Sequence, residues 1–284
     1  MATRTQRQTR QLNATRAAVD RRAKGLASVL ERLFERRRVA LLRDLTRKGP
    51  QALMQRAVKK AVDPIEEDAF LEELFGAILR YGLLQATESA ARTAVILEGS
   101  LRLGGAGRLV PLKEFKGLEA IASAHAREIA RVTQVAVSQK IERVINDARS
   151  MDVEPSTREL ILRLREEITE VPALSWERAD TIARTELSIA ENVGTFSQYE
   201  DAGVEELEWL AFSAPIWPRR HDLMHGERAK VGDYFTTPGG VKLRFPGDPL
   251  GPAGEIINCR CSTAPVIPVR KIAVIVPGAL EVHP

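Results

Sequence analysis

SWERADTIARTELSIAENVGTFSQYEDAGVEELEWLAF, residues 175–212, changes its period partway along. Behind Ser175 as N-cap and Glu177 in the first turn, Ala179, Ile182, Ala183, Leu187, Ala190 and Val193 recur at helical spacing. Asp201-Ala202-Gly203 ends that helix, with glycine free to take the left-handed conformation past the last turn. Residues 204–212 then read as a strand. Downstream come Pro215 and Pro218, a short His221 to His225 turn, a strand over 241–245, the turn Pro246-Gly247-Asp248-Pro249 and an extended piece over 261–269. One helix feeding short strands with long connections predicts a small mixed α+β domain at the C-terminal end.

Upstream the chain reads as long helices. Aromatic residues make up 5% of the 284 residues and apolar ones 44%, enough for a packed core but a poor supply for sheets. Leu12, Val19, Leu26 and Leu33 fall seven apart, joined by Leu30, Phe34, Leu41 and Leu45, so the first helix carries a narrow apolar seam that needs a partner. Residues 1–13 hold almost no apolar side chains and are expected as a mobile basic arm. Gly49-Pro50 stops the first helix, and further helices follow over 64–98, 118–151, 155–170 and 175–201. Within the third, His125 has no second ligand candidate one turn away and reads as a surface or partly buried histidine. The fold class is α+β: a long-helix N-terminal region, then the small mixed domain. The expected segments are a basic helical arm over 1–50, a helical region over 51–171 with a Gly-rich joint near 99–111, a compact domain over 172–268 and a tail over 269–284.

Charge is uneven. Residues 1–60 hold 17 Lys and Arg against 4 Asp and Glu, while the rest hold 25 against 34. The basic start, with Arg21, Arg22, Lys24, Arg36, Arg37 and Arg38 crowding one helix, is the footprint of a polyanion contact such as non-specific binding of DNA. A solvated basic face is the simpler reading of the same residues. No run approaches the roughly 18 apolar residues of a membrane span, so no membrane partner is expected.

The motifs of the last third are ordered: Ala183-Arg184-Thr185-Glu186, Asn192, Tyr199, Trp209, His221, Gly226, Gly232-Asp233-Tyr234-Phe235, Pro246-Gly247-Asp248-Pro249 and Asn258-Cys259-Arg260-Cys261. This set resembles the phage Mu F-like head morphogenesis, or minor head, proteins of tailed bacteriophages. The resemblance covers the C-terminal 90 to 100 residues or so, the length of one small domain. It departs at Ala214-Pro215-Ile216-Trp217-Pro218, where such proteins commonly carry an acidic residue and arginines. It implies a structural virion protein of head, or procapsid, morphogenesis, assembled in the bacterial host cytoplasm and held inside the head. Its implied partners are the portal protein, the major capsid protein or both, with packaged genomic DNA touched through the basic N-terminus. It also implies that the protein is not an enzyme, and that Arg184, Thr185, Glu186, Trp209, His221, Gly226, Asn258 and Arg260 have structural roles.

The residues themselves offer further readings. His221-x3-His225 with Cys259-x-Cys261 supplies two imidazoles and two thiolates, the ligand set of a structural zinc. No other cofactor is expected. The bland alternative is a His221 bonded to backbone and two cysteines packed as small buried side chains. Arg184 and Glu186 read as an ion pair, with Glu186 and His221 as an acid/base pair the alternative. A metal-dependent hydrolase or nuclease, or a non-specific DNA-binding module, are the functions that compete with the structural one.

Overall fold

The structure, a computed structural model, describes residues 4–62, 69–101, 117–151, 155–212 and 219–266. Residues 104–107 of the glycine cluster, residues 214–218 and the tail over 269–284 lie outside these. The α+β expectation holds. Helices α1 (Arg4–Val62), α2 (Ala69–Leu101), α3 (Leu118–Arg149), α4 (Thr157–Thr169) and α5 (Trp176–Asp201) precede strand β1 (Glu206–Leu210). Strands β2 (Arg228–Lys230), β3 (Phe235–Thr236) and β4 (Lys242–Leu243), the single turn α6 (Ala253–Ile256) and strand β5 (Ser262–Pro265) follow among the described residues.

Local chemistry sets most boundaries. Gly49 is non-helical at φ 79° ahead of Pro50, so α1 is two helices joined at a kink. Ser156 and Glu159 form a reciprocal capping box at the start of α4, and Ser175 accepts from the Arg178 N–H at the start of α5. One expectation fails: the N-terminal arm is helical from Arg4. The reason is Leu12, which is buried with Leu210 and Ala264 and so ties this turn to the sheet.

The seam of α1 finds its partners within the chain. Leu26, Leu30, Leu33, Phe34 and Leu45 share one core with Leu74 and Ile78 of α2, Ile141 and Ile145 of α3, Leu164 and Ile168 of α4, and Ala183 and Leu187 of α5. The C-terminal half of α5 enters a second core instead, where Ile189, Val193, Phe196 and Tyr199 meet Trp209, Met224, Phe235, Leu243 and Phe245. β1 lies between β2 and β5, antiparallel to both, with Glu208 opposite Arg228 and Trp209 opposite Thr263; β3 and β4 form a separate antiparallel pair. Helix α5 is therefore the common wall of both cores.

Candidate functional site

One polar face of α5 holds the turn over 258–261. The Thr185 hydroxyl accepts from the Asn258 backbone N–H at 3.1 Å, the Ser188 hydroxyl donates to the Cys259 carbonyl at 2.6 Å, and the Asn192 amide donates to the Cys261 carbonyl at 3.3 Å. Thr185, Ser188 and Asn192 are spaced three and four apart, which puts them on one stripe of the helix. The turn needs this support because Asn258 sits at φ 56°, a left-handed conformation that asparagine tolerates better than most residues.

The supported turn delivers two buried free thiols beside His221. His221, on the 3₁₀ turn His221–Met224, places Nδ1 3.7 Å from Cys259 Sγ and Nε2 2.6 Å from a Glu255 carboxylate oxygen. Its ring stands edge-on to the fully buried Trp209 at 5.4 Å, and the backbone N–H of Phe212 donates to Cys261 Sγ at 3.4 Å. Burial pulls the His221 pKa down, but Cys261 and Glu255 outweigh it, so the imidazole is raised and favours its charged form. The Cys259 hydrogen bond, together with His221, lowers Cys261 well below an ordinary thiol against the opposing effect of burial. Cys259 goes the other way, held protonated by the neighbouring Cys261 and by burial. The three side chains thus shift one another's proton affinity within one buried cluster.

The four-residue ligand set read from the sequence is corrected in one member. His225 is exposed, its Nδ1 accepting from the Ala211 N–H at 3.3 Å, while His221, Cys259 and Cys261 bring their ligand atoms within 4.8 Å of one another. A 3₁₀ turn repeats every three residues, so an i, i+4 pair leaves the shared face that an α-helical turn would have given it. The backbone-bonded alternative for His221 is also wrong, since its partner is a carboxylate. Glu255 was missed, although it is the sole acidic residue between Asp248 and Cys261 and that isolation was a readable signal.

The arginine readings change partners. Arg184 bonds Asp180 at 2.7 Å and Asp20 at 2.6 Å, not Glu186, and Arg260 reaches both oxygens of the same Asp20 at 2.9 Å. Glu186 instead faces His125 Nδ1 at 3.0 Å, far from any role with His221. Asp20 of α1 therefore ties α5 to the cysteine turn. Alongside, Arg16 lies over the Phe212 ring at 4.4 Å, with Nε and Nη2 buried and without a hydrogen-bond partner among the described residues. Thr15, Arg16, Asp20, Glu191 and Arg260 line a cleft there. Gly226, at φ 86°, donates its N–H to the Trp209 carbonyl and closes the loop behind β1.

Of the six basic residues read as nucleic-acid contacts, four have internal partners. Arg22 binds Gln85 and Glu88, Arg36 binds Glu73, Arg37 binds Gln134, and Arg38 binds Glu35 and the Leu174 carbonyl. Arg21 and Lys24 are exposed. Among the described residues no helix is long and apolar enough to cross a membrane.

No family profile and no solved structure matches the chain. It is 32% identical over 108 residues to the NAD(+)–arginine ADP-ribosyltransferase EFV of Enterococcus faecalis strain ATCC 700802 / V583. The match takes in 35% of this chain, which spans only 21% of the length of that relative. A relative named for group transfer from NAD+ overturns two expectations at once, that the protein is a structural head component and that it is not an enzyme. Nor does it support the metal-dependent hydrolase or nuclease.

Proposed function

We propose that the chain serves NAD+-dependent ADP-ribosyl transfer to arginine, and that residues 172–268 form a docking module of the Mu F-like kind. The observation that carries this is the 108-residue match to the Enterococcus transferase. A shared stretch equal to 35% of this chain and 21% of that relative is what one module recurring in a larger polypeptide gives. The docking half is supported by the motif residues, since Thr185 and Asn192 hold a turn and Gly226 and Trp209 fix a strand end. The portal or major capsid protein is the assembly that the Mu F-like resemblance implies. The transfer half is supported by the Enterococcus match alone.

The test incubates the full chain with NAD+ and agmatine, an arginine-like acceptor, and follows nicotinamide release and ADP-ribosyl-agmatine by mass spectrometry. Both products are expected. Neither product from a folded chain overturns the transfer half. Copurification with portal or major capsid protein tests the docking half separately.

A further inference from the structure

We propose that His221 Nδ1, Cys259 Sγ and Cys261 Sγ hold one zinc ion, with Glu255 behind His221 and an exchangeable fourth ligand facing the adjoining cleft. The three ligand atoms are buried and lie within 4.8 Å of one another. Around a tetrahedral zinc with bonds of about 2.3 Å to sulfur and about 2.0 Å to nitrogen, sulfur and nitrogen stand roughly 3.5 Å apart. His221 Nδ1 and Cys259 Sγ stand 3.7 Å apart. Two sulfurs and one imidazole select a borderline-soft ion over magnesium or calcium, which take oxygen ligands. Nor can the two thiols satisfy each other as a disulfide without strain, given their Cys-x-Cys spacing.

The surroundings are those of a metal-binding histidine. Nε2 of His221 lies 2.6 Å from the Glu255 carboxylate, which fixes that nitrogen as the N–H and leaves the Nδ1 lone pair for the ion. Glu255 is itself held in place: buried Arg219 donates to the Gly254 carbonyl at 3.2 Å, next to it on α6. The Phe212 N–H to Cys261 Sγ bond steadies a thiolate. Three protein ligands among the described residues leave one tetrahedral position, and a cleft lined by Phe212, Arg219, Asp222 and Arg260 adjoins the trio. Zinc here joins the His221 turn to the cysteine turn, and its fourth ligand is water or a small anion drawn by Arg219 and Arg260.

The experiment takes the full chain, stripped of metal under reducing conditions, and titrates it with Co2+ as a spectroscopic stand-in for zinc. About one equivalent should bind, giving a thiolate-to-cobalt charge-transfer band and the intense visible bands of four-coordination, and zinc should displace it. Thiocyanate should shift the visible bands. His221→Ala, Cys259→Ser and Cys261→Ser should each abolish the site, His225→Ala should leave it, and Glu255→Gln should weaken affinity roughly 10- to 100-fold. Because the cysteine variants alter the core, the wild-type chain supplies an independent readout: zinc should shield both cysteines from iodoacetamide, and a chelator should restore labelling. No charge-transfer band with unshielded thiols overturns the site. Loss of metal in His225→Ala overturns this ligand set, and bands indifferent to thiocyanate overturn the exchangeable ligand.

Discussion

Glu191 is a carboxylate with its side chain only 3% exposed, and it survives there because its partners surround it. Arg92 donates to both its oxygens at 2.6 Å, Gln85 donates at 2.6 Å, and Ser89 bonds the Glu191 carbonyl. Removing the cation strands the anion, so Arg92→Ala should cost about 3 kcal/mol in urea unfolding. Arg131→Ala, which loses only an exposed pair with Glu128, should leave the urea midpoint unchanged. His125 gives a prediction in pH. Burial lowers its pKa, but the hydrogen bond and charge of Glu186 outweigh that and leave it raised. A raised histidine contributes its full stabilisation below the unfolded value of about 6.5 and loses it as pH rises through the folded value. His125→Gln should therefore destabilise by about 1–2 kcal/mol near pH 5.5, and the gap from wild type should close in alkaline buffer. Neither network was legible in the sequence. Glu186 stands 61 residues from His125, and Glu191 stands 99 from Arg92, so linear order pointed Glu186 to its near neighbour, Arg184, which the fold assigns elsewhere. His221, Cys259 and Cys261 were legible because sulfur and imidazole are scarce enough to stand out in a line of text. His225 misled because its pairing presumed an α-helical turn.

At the level of elements, α2 and α5 approach through small residues. An added Cβ on Gly194 would come 2.2 Å from the Ala86 carbonyl oxygen, and one on Gly82 would touch Ala190 at 3.8 Å. Gly194→Ala must push the helices apart, and a cost of about 2–3 kcal/mol is expected, against little change for Gly76→Ala, where nothing lies within reach. The same closeness lets Ser89 bridge to Thr195 at 2.6 Å. The capping box at Ser156 is a separate, local device, so Ser156→Ala should lower the thermal midpoint by the equivalent of about 1 kcal/mol and leave the rest intact. Element ends of this kind were readable, because Ser175, Ser156 and Gly49-Pro50 act on the backbone within one turn. Helix contacts were not, since alanine and glycine along α2 give no periodic apolar signal for a partner. The helical N-terminus was misread for the related reason that Leu12, the first residue of the apolar seam, meets its partners Leu210 and Ala264 only once β1 and β5 are beside it.

For the whole molecule, the boundary drawn at residue 172 meets a helix that belongs to both sides of it. Ala179, Ile182, Ala183 and Leu187 of α5 lie in the core made with α1 to α4, while Ile189, Val193, Phe196 and Tyr199 lie in the core under the sheet. Asp20 adds a polar tie from α1 to Arg184 and Arg260, and Leu12 an apolar one to Leu210. A fragment over 172–268 would keep every residue of the cysteine turn yet uncover the first half of α5, including Ala179 and Leu187, both fully buried in the chain. Exposing such a stripe costs roughly 25 cal/mol for each Å² of apolar surface and offers it to other molecules. The fragment should accordingly bind a hydrophobic dye and self-associate. In the full chain, both cores should unfold together, so that tryptophan fluorescence and far-ultraviolet circular dichroism trace one urea transition. Two separated transitions, with a fragment that stays monomeric and dye-free, would show that α5 belongs to the C-terminal unit alone and that the helical region merely rests on it.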